Sequence, residues 1–559
     1  MDHVQSIKET LFKNLAEAAE AAREKGMFDY QDLPDFTVEV PREKEHGDFA
    51  ANLAMLLAKQ AKKSPREIAA IILQQFEKQE TWVSEISVAG PGFINFKLDE
   101  AWLYKVLPTV LEEDKSYGHT DKGQGEKVQV EFVSANPTGL LHMGNARGAA
   151  LGDSIANLLS ATGYDVSREF YINDAGNQIT NFSKSLEARY LQQLGKDVPF
   201  PDEGYHGQDL VDTVKRFIAK EGDKYLDVSP ELRQEMLVEF ALEEKITVIR
   251  ETLERFGVKY DVWFSERTLH ESGAIENAVS ELQQKGLIYK QEEALWFKST
   301  EFGDEKDEVV VRKNGMPTYF AADIAYHKNK FERGFKWVIN VWGADHHGHI
   351  ARMKGAAEAL GYDPDKLDVV LMQLVRLYQG GEALRMSKRT GTYITLDELI
   401  EEVGVDAARY FFVMRSTDSH LEFDLDLAKS QSSDNPVYYV QYAHARICSI
   451  LEQAKEAVGT VRASAPNFNV LKEAEELELI RRIADFPGVV SGAAEALEPH
   501  RLTTYAGQLA SQFHSFYTKC RVLTDEEEIK TARLQLVDAT RVTLRNLLGM
   551  LGVSAPESM

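Results

Sequence analysis

Apolar residues at Val4, Ile7, Leu11, Leu15 and Ala18 recur at helical spacing, so the pattern predicts a helix at the start of the chain. Ser64-Pro65-Arg66-Glu67 reads as a capping box with proline in the first turn, launching a second helix over IAAIILQQF. VAGPGFINFKL (88–98) is strand-like, interrupted by Gly90-Pro91-Gly92, and the link DKGQGEK (121–127) marks a boundary. A run of β-branched and aromatic residues, Val128–Val133, then predicts a strand. It is followed by a proline loop, a small-residue helix ending near Gly163 and a second strand over 165–172. The order repeats later: strand WVINVW (337–342), a helix from about His349 to Leu360 closed by Gly361, and strand DVVLMQL (368–374). Thr395 and Glu398 form another capping box, Gly404 reads as a helix stop, and from about residue 430 nearly every segment is helical.

Two strand–helix–strand units predict an α/β domain with a doubly wound, parallel, Rossmann-like sheet, whose ligands bind at the carboxyl ends of its strands. The expected division is an N-terminal α+β domain over 1–120, the catalytic α/β domain over 121–430 and an all-α bundle over 431–559. The stretch of about 180–300, rich in charged helical sequence, reads as an insertion between the two halves of the sheet.

Composition narrows the class. A chain of 559 residues is too long for one ordinary core. No apolar run reaches the roughly 18 residues that a membrane span needs, and the N-terminus lacks a signal-peptide apolar core. Two cysteines, Cys448 and Cys520, can form neither a disulfide framework nor a cysteine-rich zinc site, so the expectation is a cytoplasmic protein without structural zinc. A net charge of −25 excludes indiscriminate nucleic-acid binding, which rests on a broad basic surface. Residues 441–559 carry 13 Lys and Arg against 15 Asp and Glu, so this tail is nearly neutral and can approach a polyanion through local patches.

Two short segments carry candidate chemistry. His142-Met143-Gly144-Asn145 sits where a strand hands over to a helix, a position whose free N–H groups and dipole favour a phosphate. Gly144 lets a ligand approach the backbone, and His142 and Asn145 can donate to oxygens that gain charge in a transition state. The plainer reading is a helix cap with an incidental histidine. Arg385-Met386-Ser387-Lys388-Arg389 follows a double-glycine turn, and Lys388 can deliver a point charge to a triphosphate. Its plainer reading is a solvated basic loop. The two occur in order, each at the end of one half of the sheet, which is far less expected by chance than either alone. The cluster Asp345, His346, His347 and His349 raises a metal site; adjacent histidines on an extended segment point to opposite sides, so a nucleotide-contacting loop explains it better, and no metal ligand set is assigned.

HMGN and RMSKR resemble the HIGH and KMSKS motifs of class I aminoacyl-tRNA synthetases, and GADHHGH (343–349) resembles that class's G-x-D-x-x-x-H segment. VEFVSANPTGLLHMGNARGAALGDSIANLL, REFYINDAGNQI, DIAYH, NVWGADHHGHI and VYYVQYAHARICSIL are similar to the bacterial arginyl-tRNA synthetases, and the similarity runs from EHGDFAANLAMLLAK (45–59) to the C-terminal LGVSAPESM. Two positions depart from the motifs: Asn145 replaces the last histidine of HIGH, and Arg385 the first lysine of KMSKS.

The resemblance implies an arginine–tRNA ligase that makes arginyl-adenylate and pyrophosphate from L-arginine and ATP, then transfers arginine to the 3′-terminal adenosine of tRNA(Arg). It implies His142, Asn145 and Lys388 as catalytic residues, and Gly144, Gly343, Asp345, His349, Met386, Ser387 and Lys388 at ATP, which arrives with Mg²⁺. Arginine would meet Glu131, Asn136, Tyr319, Asp323 and His346, and tRNA would meet Tyr439, Tyr442, His444 and Arg446. Tyr319 and Asp323 fall on one face if their segment is helical. The resemblance further implies an N-terminal domain touching the corner of the tRNA, an anticodon-binding bundle of the DALR type, a monomer, and activation of arginine only with tRNA bound. A guanidinium has five donors and no acceptor, so its pocket needs acids and other acceptors, and such a pocket rejects uncharged competitors without editing. The cysteine-specific synthetase needs a cysteine-rich zinc site, the shorter nucleotidylyltransferases lack a helical tail, and a silent paralogue would have lost His142 or Lys388.

Overall fold

The computed structural model describes residues 2–559 except 42, 79–81, 385–393 and 459–465. The RMSKR segment, with Arg385, Met386, Ser387 and Lys388, therefore lies outside the described residues.

At the N-terminus, helices His3–Glu24, Leu53–Ala61 and Pro65–Gln75 pack on a four-stranded antiparallel sheet. The Ser64 hydroxyl and the Glu67 carboxylate cap each other's backbone, as the S-x-x-E pattern predicts. Gly90-Pro91-Gly92 turns what reads as one strand into a hairpin of Val83–Ala89 with Phe93–Leu98.

The central sheet has five strands, all parallel, in the order Leu367–Met372, Trp337–Gly343, Lys127–Glu131, Asp165–Ile172, Val262–Ser265. Both predicted units are present, and parallel strands place their carboxyl ends along one edge. The helix Met143–Ala161 lies on this sheet almost wholly buried. Its small residues permit that: a Cβ on Gly152 would stand 2.1 Å from the Phe132 ring.

The stretch of about 180–300 is not a single insertion. Helices Gly176–Gln193, Gln208–Glu221 and Pro230–Arg255 form a lobe with its own core around Phe182, Tyr190, Phe217 and Leu237. The chain then returns to the central sheet as Val262–Ser265, its fifth strand, before a second excursion builds a small antiparallel sheet over 288–311. A four-residue strand between long helices gives too weak a periodic signal to be separated from its charged surroundings.

After the central sheet, Val375–Gln379 pairs in parallel with Leu421–Asp424 and antiparallel with Glu382–Ala383. Helices Pro436–Val458, Ala474–Ala484, Phe486–Glu495, His500–Lys519 and Glu527–Met550 then form the C-terminal bundle. Among the described residues no helix is long and apolar enough to cross a membrane.

Candidate active site

The strand Lys127–Glu131 ends in a strained turn: Val133 and Ser134 have φ of 69° and 39°, the left-handed region that a β-branched residue rarely enters. The turn folds Ser134 back so that its hydroxyl donates to Glu131 (2.8 Å) and accepts from the Tyr171 amide (3.2 Å). Asn136 follows on an exposed loop.

His142 is the N-cap of the next helix. Its Nδ1 accepts from the Gly144 amide at 3.1 Å, which puts the neutral ring's proton on Nε2 as a donor. Asn145 Oδ1 accepts from the His142 amide at 3.1 Å, so the amide's remaining offering is its Nδ2 donor. The plain capping role is therefore real, and it orients both side chains at the positive end of the helix dipole. His142 also bridges antiparallel to Thr395, and the Leu396 amide donates to the Leu141 carbonyl at 2.9 Å. The chain leaving residues 385–393 is thus tied to the HMGN turn, and Thr395 and Glu398 form the predicted capping box beside it.

Gly343 ends the neighbouring strand, and residues 344–349 form a 3₁₀ turn rather than an extended segment. Asp345 and His346 are exposed, 3.7 Å apart at their nearest atoms, while His349 turns inward and its Nε2–H donates to Asp323 at 3.0 Å. His346 lies against Trp342 instead of reaching Asp323.

The helix Tyr319–Glu332 brings Tyr319 and Asp323 to one face, as their spacing predicts. Beneath it runs a buried charge network. Lys330, 0% exposed, donates to Glu131 Oε2 (2.5 Å) and Asn340 Oδ1 (2.7 Å). Asn340 Nδ2 donates to His327 Nε2 (2.9 Å), and His327 Nδ1–H donates to the Asp323 carbonyl (2.8 Å). Burial, with Lys330 nearby, holds His327 well below the usual histidine range, so it is neutral. Arg333 grips Glu169 through two bonds of 2.6 and 2.8 Å.

Glu131 and Glu169 thus each have a cation of their own. Asp323 and Glu266 do not. Glu266 follows the strand Val262–Ser265, is 4% exposed, and its Oε2 has no hydrogen-bond partner among the described residues. Its ionic partner is His270 at 3.5 Å, and that of Asp323 is His349 at 3.0 Å. Burial raises the pKa of both acids, and each carboxylate adds repulsion: Asp323 raises Glu266, and Glu131 raises Asp323. Glu266, buried beside His270 and the Tyr171 hydroxyl, and Asp323, largely buried beside His349, thus form an acidic site with no lysine or arginine of its own. Sequence reading missed Glu266; the signal available was an acid immediately after VWFS, at the carboxyl end of a strand.

In the C-terminal bundle Tyr438 and Tyr442 stack at 6.1 Å, and His514 from another helix lies 6.3 Å from Tyr442 and 5.2 Å from Tyr439. Arg446 donates to the Tyr442 hydroxyl at 3.0 Å and covers the Tyr517 ring at 4.8 Å. His444 does not join this surface. It is 2% exposed, and its Nδ1–H donates to the Pro556 carbonyl at 2.9 Å, anchoring the end of the chain.

Three family models match. The arginyl tRNA synthetase N terminal domain covers residues 5–98, the class I (R) tRNA synthetase catalytic domain covers 106–424, and the DALR anticodon binding domain covers 440–559. Curated relatives named arginine–tRNA ligase include those of Moorella thermoacetica, 68% identical, and Heliobacterium modesticaldum, 63% identical, each aligned over 100% of both chains. The solved Thermus thermophilus arginyl-tRNA synthetase superposes with a TM-score of 0.76 at 24% identity, over 99% of this chain and 100% of that one, a likeness of fold. The HMGN helix end, the acid pair and the bundle thus lie within matches that span nearly the whole length, and the chain belongs to the arginyl-tRNA synthetase family of class I aminoacyl-tRNA synthetases.

Proposed function

We propose that this protein ligates L-arginine to tRNA(Arg), with Asp323 and Glu266 receiving the guanidinium of the substrate. The observation that carries this reading is the pair of largely buried acids with no lysine or arginine of their own, Glu266 standing at the same carboxyl edge of the parallel sheet from which the chain enters the helix Met143–Ala161. A guanidinium supplies the missing charge and satisfies Glu266 Oε2. Tyr319 borders the pocket, and Asn136 with Glu131 takes the α-amino end, Glu131 through lone pairs left by Ser134 and Lys330.

In the first step the arginine carboxylate attacks the α-phosphorus of ATP and pyrophosphate leaves. In the second, the 3′-terminal ribose hydroxyl of the tRNA attacks the arginyl carbonyl and AMP leaves. No residue becomes a covalent nucleophile; the protein orients the reactants and stabilises phosphate charge. His142 Nε2–H, Asn145 Nδ2–H and the Gly144 backbone serve the phosphates, joined by Met386, Ser387 and Lys388 of the RMSKR segment. Magnesium enters as part of the MgATP substrate. Gly343 and the exposed Asp345 take the adenosine side, with Asp345 at the ribose, and His349 joins that turn to Asp323. His346 is held at the rim by Trp342. The surface of Tyr439, Tyr442 and Arg446, extended by His514, meets tRNA bases, with His444 shaping it from within. The proposed sites all fall on one chain, which suits a monomer, and the two free cysteines suit the reducing cytoplasm.

The test is amino-acid-dependent ATP–pyrophosphate exchange across a panel of amino acids, with and without tRNA. Arginine alone should support exchange. Exchange driven by another amino acid contradicts the assignment.

A further inference from the structure

Arg147 is the second arginine, besides Arg409, among the largest wholly buried side chains, and it lies in the second turn of the helix capped by His142. No carboxylate lies within ion-pairing distance of it among the described residues. Its Nη1 donates to the Gln373 carbonyl (2.6 Å), Nη2 donates to the Ser416 carbonyl (3.1 Å), and both nitrogens reach the Ser419 carbonyl (3.3 Å each). Burial lowers its pKa to about 10, with Asp418 opposing the shift from a distance. A buried cation held only by neutral carbonyls is costly, and an apolar side chain of similar volume is often neutral or stabilising in such a place. Its geometry is better explained by what it joins.

The three carbonyls belong to two loops. Gln373 stands between the strands Leu367–Met372 and Val375–Gln379, and Ser416 and Ser419 precede the strand Leu421–Asp424. The two loops also clasp each other, the Gln373 amide donating to the Thr417 carbonyl at 3.0 Å. The strand Val375–Gln379 leads through Glu382–Ala383 into the RMSKR segment, and the chain returns at Thr395, bridged to His142. The segment is therefore tied to the HMGN helix on both sides: by backbone at its far end, and through Arg147 at the base of the strands that enter it.

We propose that Arg147 is a positioning residue for adenylation, whose fork of three carbonyl contacts fixes the strand pair leading into the RMSKR segment against the helix that begins at His142. It touches no substrate. It acts on the described strands that flank residues 385–393, and so rests on the roles given above to His142 and Lys388. Lysine at this position keeps the charge, but its donors radiate from one nitrogen and cannot reproduce the two separated Nη positions from which the guanidinium reaches both loops. The acids at the guanidinium site come from other elements, Asp323 from the helix Tyr319–Glu332 and Glu266 from the end of Val262–Ser265. Loss of the fork therefore leaves arginine binding in place while loosening the strand pair that leads into the RMSKR segment.

The experiment measures ATP–pyrophosphate exchange on the full-length protein with tRNA present, for Arg147→Lys, Arg147→Gln, Lys388→Ala and Arg147→Lys/Lys388→Ala, with thermal melting of each. Arg147→Lys should lower kcat about 10- to 100-fold, the scale of a misplacement near 1 Å, with KM for arginine within about twofold of the parent. In the Lys388→Ala background the same change should cost no more than about twofold, because the group it positions is gone. Fully multiplied losses, or a rise in KM for arginine matching the fall in kcat, overturn the proposal. So does a lowered melting temperature with unchanged kcat, the mark of a merely structural role. If both Arg147 variants fail to fold, Leu374→Gly, which loosens the exposed loop residue beside Gln373, must show the same kcat-selective, Lys388-dependent loss; full additivity there overturns the proposal as well. Lys388→Ala with undiminished kcat defeats the role given to Lys388, and with it the non-additivity expected here; an Arg147 effect on kcat alone then remains as a separate result.

Discussion

Asp323 Oδ2 and His349 Nε2 stand 3.0 Å apart, joining the helix Tyr319–Glu332 to the turn that follows the strand Trp337–Gly343. The contact links the acid assigned to arginine with the turn assigned to adenosine. It supplies Asp323 with a hydrogen bond and no permanent charge, and burial still raises the acid's pKa above the usual carboxylate range. The carboxylate is thus kept available for a cation that binds.

Replacing Asp323 by Asn keeps a hydrogen-bonding group of the same size and removes the charge. KM for arginine should rise about 100-fold or more, since a paired charge inside a buried site is lost. The free protein should melt at the same temperature or a few degrees higher, because a carboxylate whose folded pKa is raised counts against the folded state once it ionises. Exchange kinetics and thermal melting check the two halves of this expectation.

The same shifts set a pH dependence. Asp323 and Glu266 both carry raised pKa values in the free protein, and the proposed assignment has arginine bind their ionised forms. KM for arginine should be flat at high pH and climb as pH falls through these raised values, above the region near 4 where unperturbed carboxylates titrate. Glu266→Gln should lose one step of that rise. A KM that stays flat down to the ordinary carboxylate range speaks against the assignment.

Lys330 is the permanent cation beneath Glu131 and is 0% exposed. Lys330→Met leaves a buried carboxylate unpaired and should cost about 3–5 kcal/mol of stability in denaturant unfolding. Adding Glu131→Gln should restore much of that loss, because the uncompensated charge goes with it. Additive losses would show that the pair is not coupled.

Asn145→Ala removes both a cap acceptor and the donor assigned to phosphate. The cap accounts for about 1 kcal/mol of stability. The donor accounts for a fall of about 10²- to 10³-fold in kcat of exchange, as for a lost donor to a developing oxyanion. Asn145→His, which completes the HIGH motif that HMGN resembles, should keep most of the rate.

In the bundle, Tyr442→Ala should raise KM for tRNA and leave KM for arginine unchanged, since its stacked ring is exposed beside Tyr438 and His514. His444→Ala should act mainly on melting temperature, through the lost bond to the Pro556 carbonyl. Filter binding of tRNA and thermal melting separate the two.

The HMGN turn was legible because strand, proline loop and cap residues punctuate the sequence there, and the i, i+4 spacing of Tyr319 and Asp323 fixed their shared face once the helix formed. Glu266 was hidden because its strand is four residues long and lies inside a charged helical stretch. Lys330 reads as a surface lysine in YHKNKFE, and only the approach of Glu131 from a strand about 200 positions earlier makes it internal. His444 shares a helix with residues that do face outward, and helical periodicity alone cannot separate them inside a bundle. The histidines at 346 and 347 were read on an extended segment, whereas the close spacing of small and polar residues lets the chain tighten into a 3₁₀ turn.

The central claim, that an acid pair without its own cation selects arginine, is tested most directly by comparing arginine with citrulline, its uncharged isostere, in tRNA-supported pyrophosphate exchange. The parent protein should prefer arginine by about 10⁴-fold or more in kcat/KM, and Glu266→Gln and Asp323→Asn should each erase at least about 100-fold of that preference. Preference for arginine that survives both substitutions unchanged would contradict the account.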